Sequence, residues 1–348
     1  MSKESDPQSV LSGLSEAAMF LTLTVRSGEE AAVRDALSDV AAACRSIGFR
    51  SPPSEPSVVV GVGSDVWDRL YATPRPAGLH PFPGFAGSVH RAPATRGDVL
   101  LHIRASRMDA CFGLARQIVD PIAASVEVVD EIHGFRSIDN RDLLGFVDGT
   151  ENPDGSAAED AVFDLDLPPS LAGGSYLVTQ KYVHDLAGWN ALTVEEQERA
   201  IGRTKLDDVE LPDDVKPSNS HVALNTITDE QGRERKIVRY NMPFGEVGTA
   251  TFGTYFIAYA KDLGVIEEML THMFIGDPPG NHDRILDFST AVTGCAYFVP
   301  PAAFLKDPDA GSDDAGSAAD DGGAASSDAL ASPDTSDQSL GIGSLRGS

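Results

Sequence analysis

Regular patterning begins at 18–25, an apolar run rich in β-formers that predicts a strand. Residues 29–47 place apolar side chains at a period of 3.6 and predict one amphipathic helix. Strands follow over 58–62, 98–104 and 125–132, with a helix over 107–119 and a Pro- and Gly-rich excursion over 73–97. Strand–helix–strand, twice over, predicts a ferredoxin-like unit with one sheet and helices on one face. The second half repeats this order with longer insertions. Its strands are expected over 175–183, 236–241 and 253–261, its helices over 194–201 and 263–274. The expected fold class is therefore α+β: two ferredoxin-like domains with antiparallel sheets, packed to leave a cleft at their junction, where ligand sites are common.

The pattern stops after Pro301. Residues 308–337 are nearly all Asp, Gly, Ala and Ser, which cannot bury enough surface to offset the entropy of ordering, so a disordered linker is expected. Leu340, Ile342 and Leu345 then bring apolar side chains back, as a short docking peptide would; a frayed terminus is the plain alternative. The expected divisions are an N-terminal extension (1–16), domains over 17–150 and 151–306, an acidic linker (307–338) and a terminal peptide (339–348).

Charge narrows the function classes. The net charge is −26, of which −8 falls from Asp307 onward, leaving −18 on the first 306 residues. That opposes binding to nucleic acid and to anionic membranes. No run approaches the length of a membrane span, and no basic region feeds an apolar stretch at the N-terminus, so a cytoplasmic protein is expected. Cys44, Cys111 and Cys295 form no CxxC pair and suit a reducing compartment. The eight histidines include no HxH or HxxxH pair, so the spacing argues against a multi-histidine zinc site.

Three segments could carry chemistry. Gly145-Phe-Val-Asp148-Gly149, followed by Asn152-Pro153, reads as a turn, but Phe146 and Val147 would draw the Asp148 carboxylate into apolar surroundings where it needs a task or a partner. In Ser218-Asn-Ser-His221-Val-Ala-Leu-Asn225 a lone histidine sits beside an apolar run, as a structural residue or a ligand. In Ile237-Val-Arg239-Tyr-Asn241-Met-Pro-Phe244, a strand ending before Pro243 would put Arg239 and Asn241 on one face. An arginine in an apolar strand needs an anion, supplied by a salt bridge or by a ligand.

Together these segments, with the run 276–294, resemble the dye-decolorizing peroxidase family. The resemblance covers most of residues 17–305 in the right order and is nearest the cytoplasmic branch with short insertions. It implies a haem peroxidase: haem b (iron protoporphyrin IX), hydrogen peroxide as oxidant, and bulky aromatic donors or a metal-ion donor as reductant. Haem would sit at the domain junction or in the second domain. A single axial histidine needs no paired partner, and the resemblance assigns His221 to the iron. It places Asp148, Arg239 and Asn241 on the opposite face of the haem, with Arg203 on a propionate. Asp283 is the first choice to hold the other nitrogen of His221, and Asp287 the alternative. His282 departs from the family's pattern, which leads one to expect an aromatic residue there. Trp67, Trp189, Tyr240 and Tyr255 are candidates for carrying electrons in from the surface.

The end of the chain, Ser339-Leu-Gly-Ile-Gly-Ser-Leu-Arg346, resembles the cargo-loading peptide of encapsulin-packaged enzymes. A thirty-residue flexible linker reaches roughly 30 Å, so a folded enzyme could hang inside a shell. A homo-oligomer is expected. A haem carrier or iron-release protein on the same fold, a chlorite-decomposing haem enzyme and a non-catalytic shell component are the competing readings.

Overall fold

The structure, a computed structural model, describes residues 6–309. The peptide 339–346 and nearly all of the linker lie outside them. Twelve strands are present among the described residues: β1 Ala17–Val25, β2 Ser57–Val62, β3 Phe85–Ala86, β4 Arg91–Ala92, β5 Val99–Ala105, β6 Val126–Phe135, β7 Ser175–His184, β8 Val238–Arg239, β9 Met242–Glu246, β10 Thr251–Ala260, β11 Ser289–Ala291 and β12 Cys295–Val299.

All but β3 and β4 belong to one antiparallel sheet, in the order β6-β1-β5-β2-β12-β7-β10-β8, with β11 on β7 and β9 on β10. The order contains one motif twice. In each half the fourth strand lies beside the first, and the third lies between first and second, which is the ferredoxin-like arrangement. The halves join edge to edge where Val62 of β2 meets Phe298 of β12.

Burial explains why β1 reads as a continuous apolar run and not an alternating one. Met19, Leu21 and Leu23 pack with Val33, Leu37, Ile47, Leu114 and Ile118 from the helices Glu30–Ser38, Val40–Arg50 and Met108–Val119. Ala18 and Phe20, pointing the other way, pack with Leu177, Tyr255, Ile257 and Tyr259 from the second half. Both faces of the strand are dry. Phe20 stacks on Tyr255 with ring centroids 4.2 Å apart, and each such side chain contributes about 1.5–3 kcal/mol by burial.

The expected fold class stands, with local differences. The helix expected over 29–47 breaks at Asp39, where the Ser38 hydroxyl donates back to the Asp35 carbonyl at 2.7 Å and competes with the helical ladder. The strand expected over 236–241 shortens to β8. Pro243 does not end the strand region but lies inside β9, whose pairing is with β10 alone and asks no donor of a proline. Strand β12 and the helices Ser64–Leu70 and Gly155–Val162 were not foreseen.

Candidate active site

The main cavity is walled by the apolar side chains of Leu144, Phe146, Ile201, Phe256, Met269 and Leu270, the last four from the second half of the chain. His221, Asp148, Arg239, Asn241 and Arg203 line it too, although the sequence scatters them over more than ninety residues.

His221 opens a five-residue helix, His221–Asn225, capped by Ser220, whose hydroxyl accepts from the Ala223 amide. The ring Nδ1 lies 2.7 Å from Oδ2 of Asp283, and Asn225, one turn on, reaches both the ring and that carboxylate. Asp283 is fully buried, and its other oxygen accepts the Ile285 amide at 3.0 Å. Its position is fixed from two sides. The Asp283 amide donates to Met273 at the end of the helix Leu263–Phe274, and the Arg284 amide donates to Asn219 beside the histidine. With Nδ1 engaged, Nε2 is the nitrogen left for a ligand. Asp287 does not reach His221. It meets His90, His282 and Arg284 instead, because the short turn 284–287 carries it away from the helix that bears His221.

Asp148 is held by the tight loop around it. Gly145 and Gly149 adopt φ of +92° and +82°, in the left-handed region where a side chain would be strained. The Asp148 amide donates to the Asn140 carbonyl at 3.1 Å. Its Oδ1 accepts from Asn241 Nδ2 at 3.2 Å, and the Asn241 oxygen accepts the Ile257 amide on β10. Asn241 thus ties the loop carboxylate to the sheet.

Arg239 has no ion pair among the described residues, and its Nε is buried without a hydrogen-bond partner among them. The salt-bridge reading of this arginine therefore fails. A half-buried guanidinium whose Nε is left this way favours an anion in the cavity. Arg203 also lines the cavity, but it is engaged by Glu151, at 2.8 Å from its terminal nitrogen, and by Asp208, at 2.8 Å from Nε. Each terminal nitrogen keeps one further N–H.

Three residues of the site escaped sequence reasoning. Asn152 clamps the backbone of Arg239, accepting from its amide at 2.9 Å and donating to its carbonyl at 2.8 Å; the Asn-Pro pair that marked a turn was its only trace. Asn225 is the second. Asp142, the third, lines the cavity and accepts the Phe146 amide at 2.9 Å. Burial, with the like charge of Asp148 adding to it, pushes the Asp142 carboxyl up to about 7 against the backbone amides that favour ionisation. No spacing rule marks such a residue. Of the proposed electron carriers, Trp67, Trp189 and Tyr255 are buried, whereas Tyr240 is partly exposed and lies under Arg104.

A cavity with a carboxylate-held imidazole and, among its other lining residues, an acid, an amide and an unpaired arginine has the side chains with which a prosthetic group could be held. Two family descriptions match the chain: "Dyp-type peroxidase, N-terminal" over residues 7–136 and "Dyp-type peroxidase, C-terminal" over 139–304. The dye-decolorizing peroxidase of Mycobacterium tuberculosis is 55% identical over 342 residues, covering 98% of this chain and 97% of that protein. That of Mycolicibacterium paratuberculosis is 54% identical, covering 98% and 93%. Among solved structures, the encapsulated DyP-type peroxidase from Mycobacterium smegmatis has a TM-score of 0.85 at 59% identity, covering 87% of this chain and 98% of that one. A variant of Rhodococcus jostii DypB in complex with haem has a TM-score of 0.84 at 53% identity, covering 86% and 98%. The chain belongs to the Dyp-type peroxidase family, and its enzyme class is dye-decolorizing peroxidase. Among the described residues, no helix is long and apolar enough to cross a membrane.

Proposed function

We propose that this enzyme binds haem b in the main cavity, uses hydrogen peroxide as oxidant, and takes electrons from bulky aromatic, dye-like donors or a metal ion. The observation that carries the reading is the pairing of His221 with buried Asp283 in a cavity that also receives Asp148, Asn241 and an unpaired Arg239. The donor set suits the group: one imidazole with a free nitrogen, apolar walls for a porphyrin, and cationic side chains, among them Arg203 with N–H groups to spare, for its propionates.

Bound haem supplies the iron that receives peroxide and stores the oxidising equivalents. The chain's own residues do the rest. Nε2 of His221 would ligate the iron, and Asp283 would hold its ring in one tautomer and make it more electron-rich. Asp148 would take the peroxide proton and return it to the departing oxygen, a task for a positioned base. Arg239 would offset the negative charge growing on that oxygen. Asn241 would keep Asp148 aimed. The deciding measurement is the visible spectrum of protein made with ample iron and haem precursor. A Soret band lost in His221→Ala is expected. A wild-type protein without that band, or one that fails to oxidise a dye with peroxide, overturns the reading.

We further infer that the enzyme assembles as a homo-oligomer packaged in an encapsulin shell in the cytoplasm, through residues 339–346. Support comes from the resemblance of that peptide and from the similar Mycobacterium smegmatis protein, described as encapsulated. Deleting residues 339–348 is expected to abolish co-assembly with the shell protein and leave dye oxidation unchanged. Co-purification of the truncated enzyme with shells would defeat it.

A further inference from the structure

Three side chains outside the main cavity converge without a task in the chemistry above. His90, in the turn between β3 and β4, sets its Nε2 2.9 Å from Oδ1 of Asp287. His282 brings its Nε2 to 3.4 Å from the same oxygen. The two imidazoles meet edge to face with centroids 4.8 Å apart, and one ligand atom from each of the three residues lies within 4.8 Å of the others. Nδ1 of His282 is buried and without a partner among the described residues, so the polar contact of that ring is made through Nε2.

From this geometry we propose a binding site for a borderline divalent transition cation such as Zn²⁺ or Cu²⁺, with Nε2 of His90, Nε2 of His282 and Oδ1 of Asp287 as ligands. Ligand bonds of about 2.0–2.1 Å in a tetrahedron separate the ligands by about 3.3 Å. The separations of the two imidazole nitrogens from Oδ1, 2.9 and 3.4 Å, bracket that value. Two imidazoles and one carboxylate suit zinc and copper, whereas calcium, magnesium and manganese favour sets of oxygens. A fourth position stays open for water or an exchangeable ligand. Arg284 approaches the other oxygen, Oδ2, with Nε at 3.2 Å, so it balances the carboxylate without occupying the cation's place.

The site also has a position of consequence. His282 directly precedes Asp283, the carboxylate that grips His221, and Asp287 ends the same turn. A cation bridging that turn to the His90 loop would pin the segment on which Asp283 is mounted. Sequence spacing argued against a zinc site because it sees only neighbours along the chain. His90 and Asp287 are 197 residues apart.

The test is isothermal titration of the full-length, haem-loaded enzyme with Zn²⁺, paired with electron paramagnetic resonance after one equivalent of Cu²⁺. One equivalent should bind, and the copper signal should carry splitting from two imidazole nitrogens. His90→Gln, His282→Gln and Asp287→Asn should each weaken binding about tenfold or more, since losing even an outer partner of a ligand does as much. Each histidine variant should also leave one nitrogen in the copper spectrum. His90 stands on a separate loop, so His90→Gln remains decisive should His282→Gln disturb Asp283. His133→Gln, at an exposed pair with Glu131, should change nothing. The proposal falls if wild type takes up no Zn²⁺ equivalent, or if the His90→Gln/His282→Gln double variant binds as wild type does.

Discussion

Asp142 allows a physical claim about the site to be checked without turnover. Its carboxyl titrates at about 7 in the folded protein against an ordinary value of 3.8. A group whose folded pKa is raised imposes no penalty while it is protonated in both states. The penalty starts as the unfolded chain ionises near pH 4, grows as pH rises, and levels off above about 7. Three units at about 1.4 kcal/mol each set an upper bound of about 4 kcal/mol. Asp142 keeps some contact with the solvent of the cavity, which reduces this to roughly 1–3 kcal/mol. Asp142→Asn imitates the neutral acid and can still accept the Phe146 amide, so the variant should exceed wild type by less than half of the full amount near pH 5 and by nearly all of it near pH 8. For a chain of this size the gap in Tm at pH 8 is roughly 1–4 °C. The assay is thermal unfolding of both proteins across pH 5–8, where all other titrations cancel in the difference. A gap that is flat with pH, or that favours wild type at pH 8, would refute the reasoning. The consequence for the site is that one carboxylate of the adjacent pair is neutral in weakly acidic solution and about half ionised near pH 7, so Asp148 faces a second full anion only at higher pH.

Further outcomes can be measured directly. Arg239→Leu should slow the reaction with peroxide by about 10²–10³-fold, and by more than Asn241→Ala does; stopped-flow traces near wild type would remove the assigned role. Asn152→Ala deletes both bonds to the Arg239 backbone and should lower stability by about 1–3 kcal/mol, read by thermal unfolding, and should slow the peroxide reaction because the guanidinium is no longer placed. Gly134 of β6 faces β9 so closely that an added Cβ would lie 2.6 Å from Cβ of Met242; Gly134→Ala should therefore destabilise by about 1–3 kcal/mol, and an unchanged Tm would show that the two strands can part at no cost.

Much of the fold was legible along the chain because strands and helices announce themselves through local periodicity. The run 18–25 and the amphipathic stretch 107–119 each carry their own signal, and the doubled strand–helix order follows from them. β12 did not announce itself. Five residues are too few to distinguish a strand from a buried segment, and its identity depends on β7 and β2 being on either side of it. Pro243 misled for the same reason, since only the sheet shows that its edge asks no donor of that residue.

The candidate site divides along similar lines. Residue type and neighbours were enough to single out Asp148, His221, Arg239 and Asn241, because a carboxylate, an imidazole or a guanidinium set among apolar residues must have a partner or a purpose. Which partner each one has was decided by the tertiary structure. Asp283 and Asp287 are equivalent by spacing, yet one is buried against His221 and the other joins two histidines elsewhere. Nor could any local pattern reveal that Arg239 is left unpaired, that Asn152 grips its backbone, or that Asp142 titrates near neutrality. Those properties belong to the dielectric and the contacts of a cavity, and a cavity exists only once distant segments have packed.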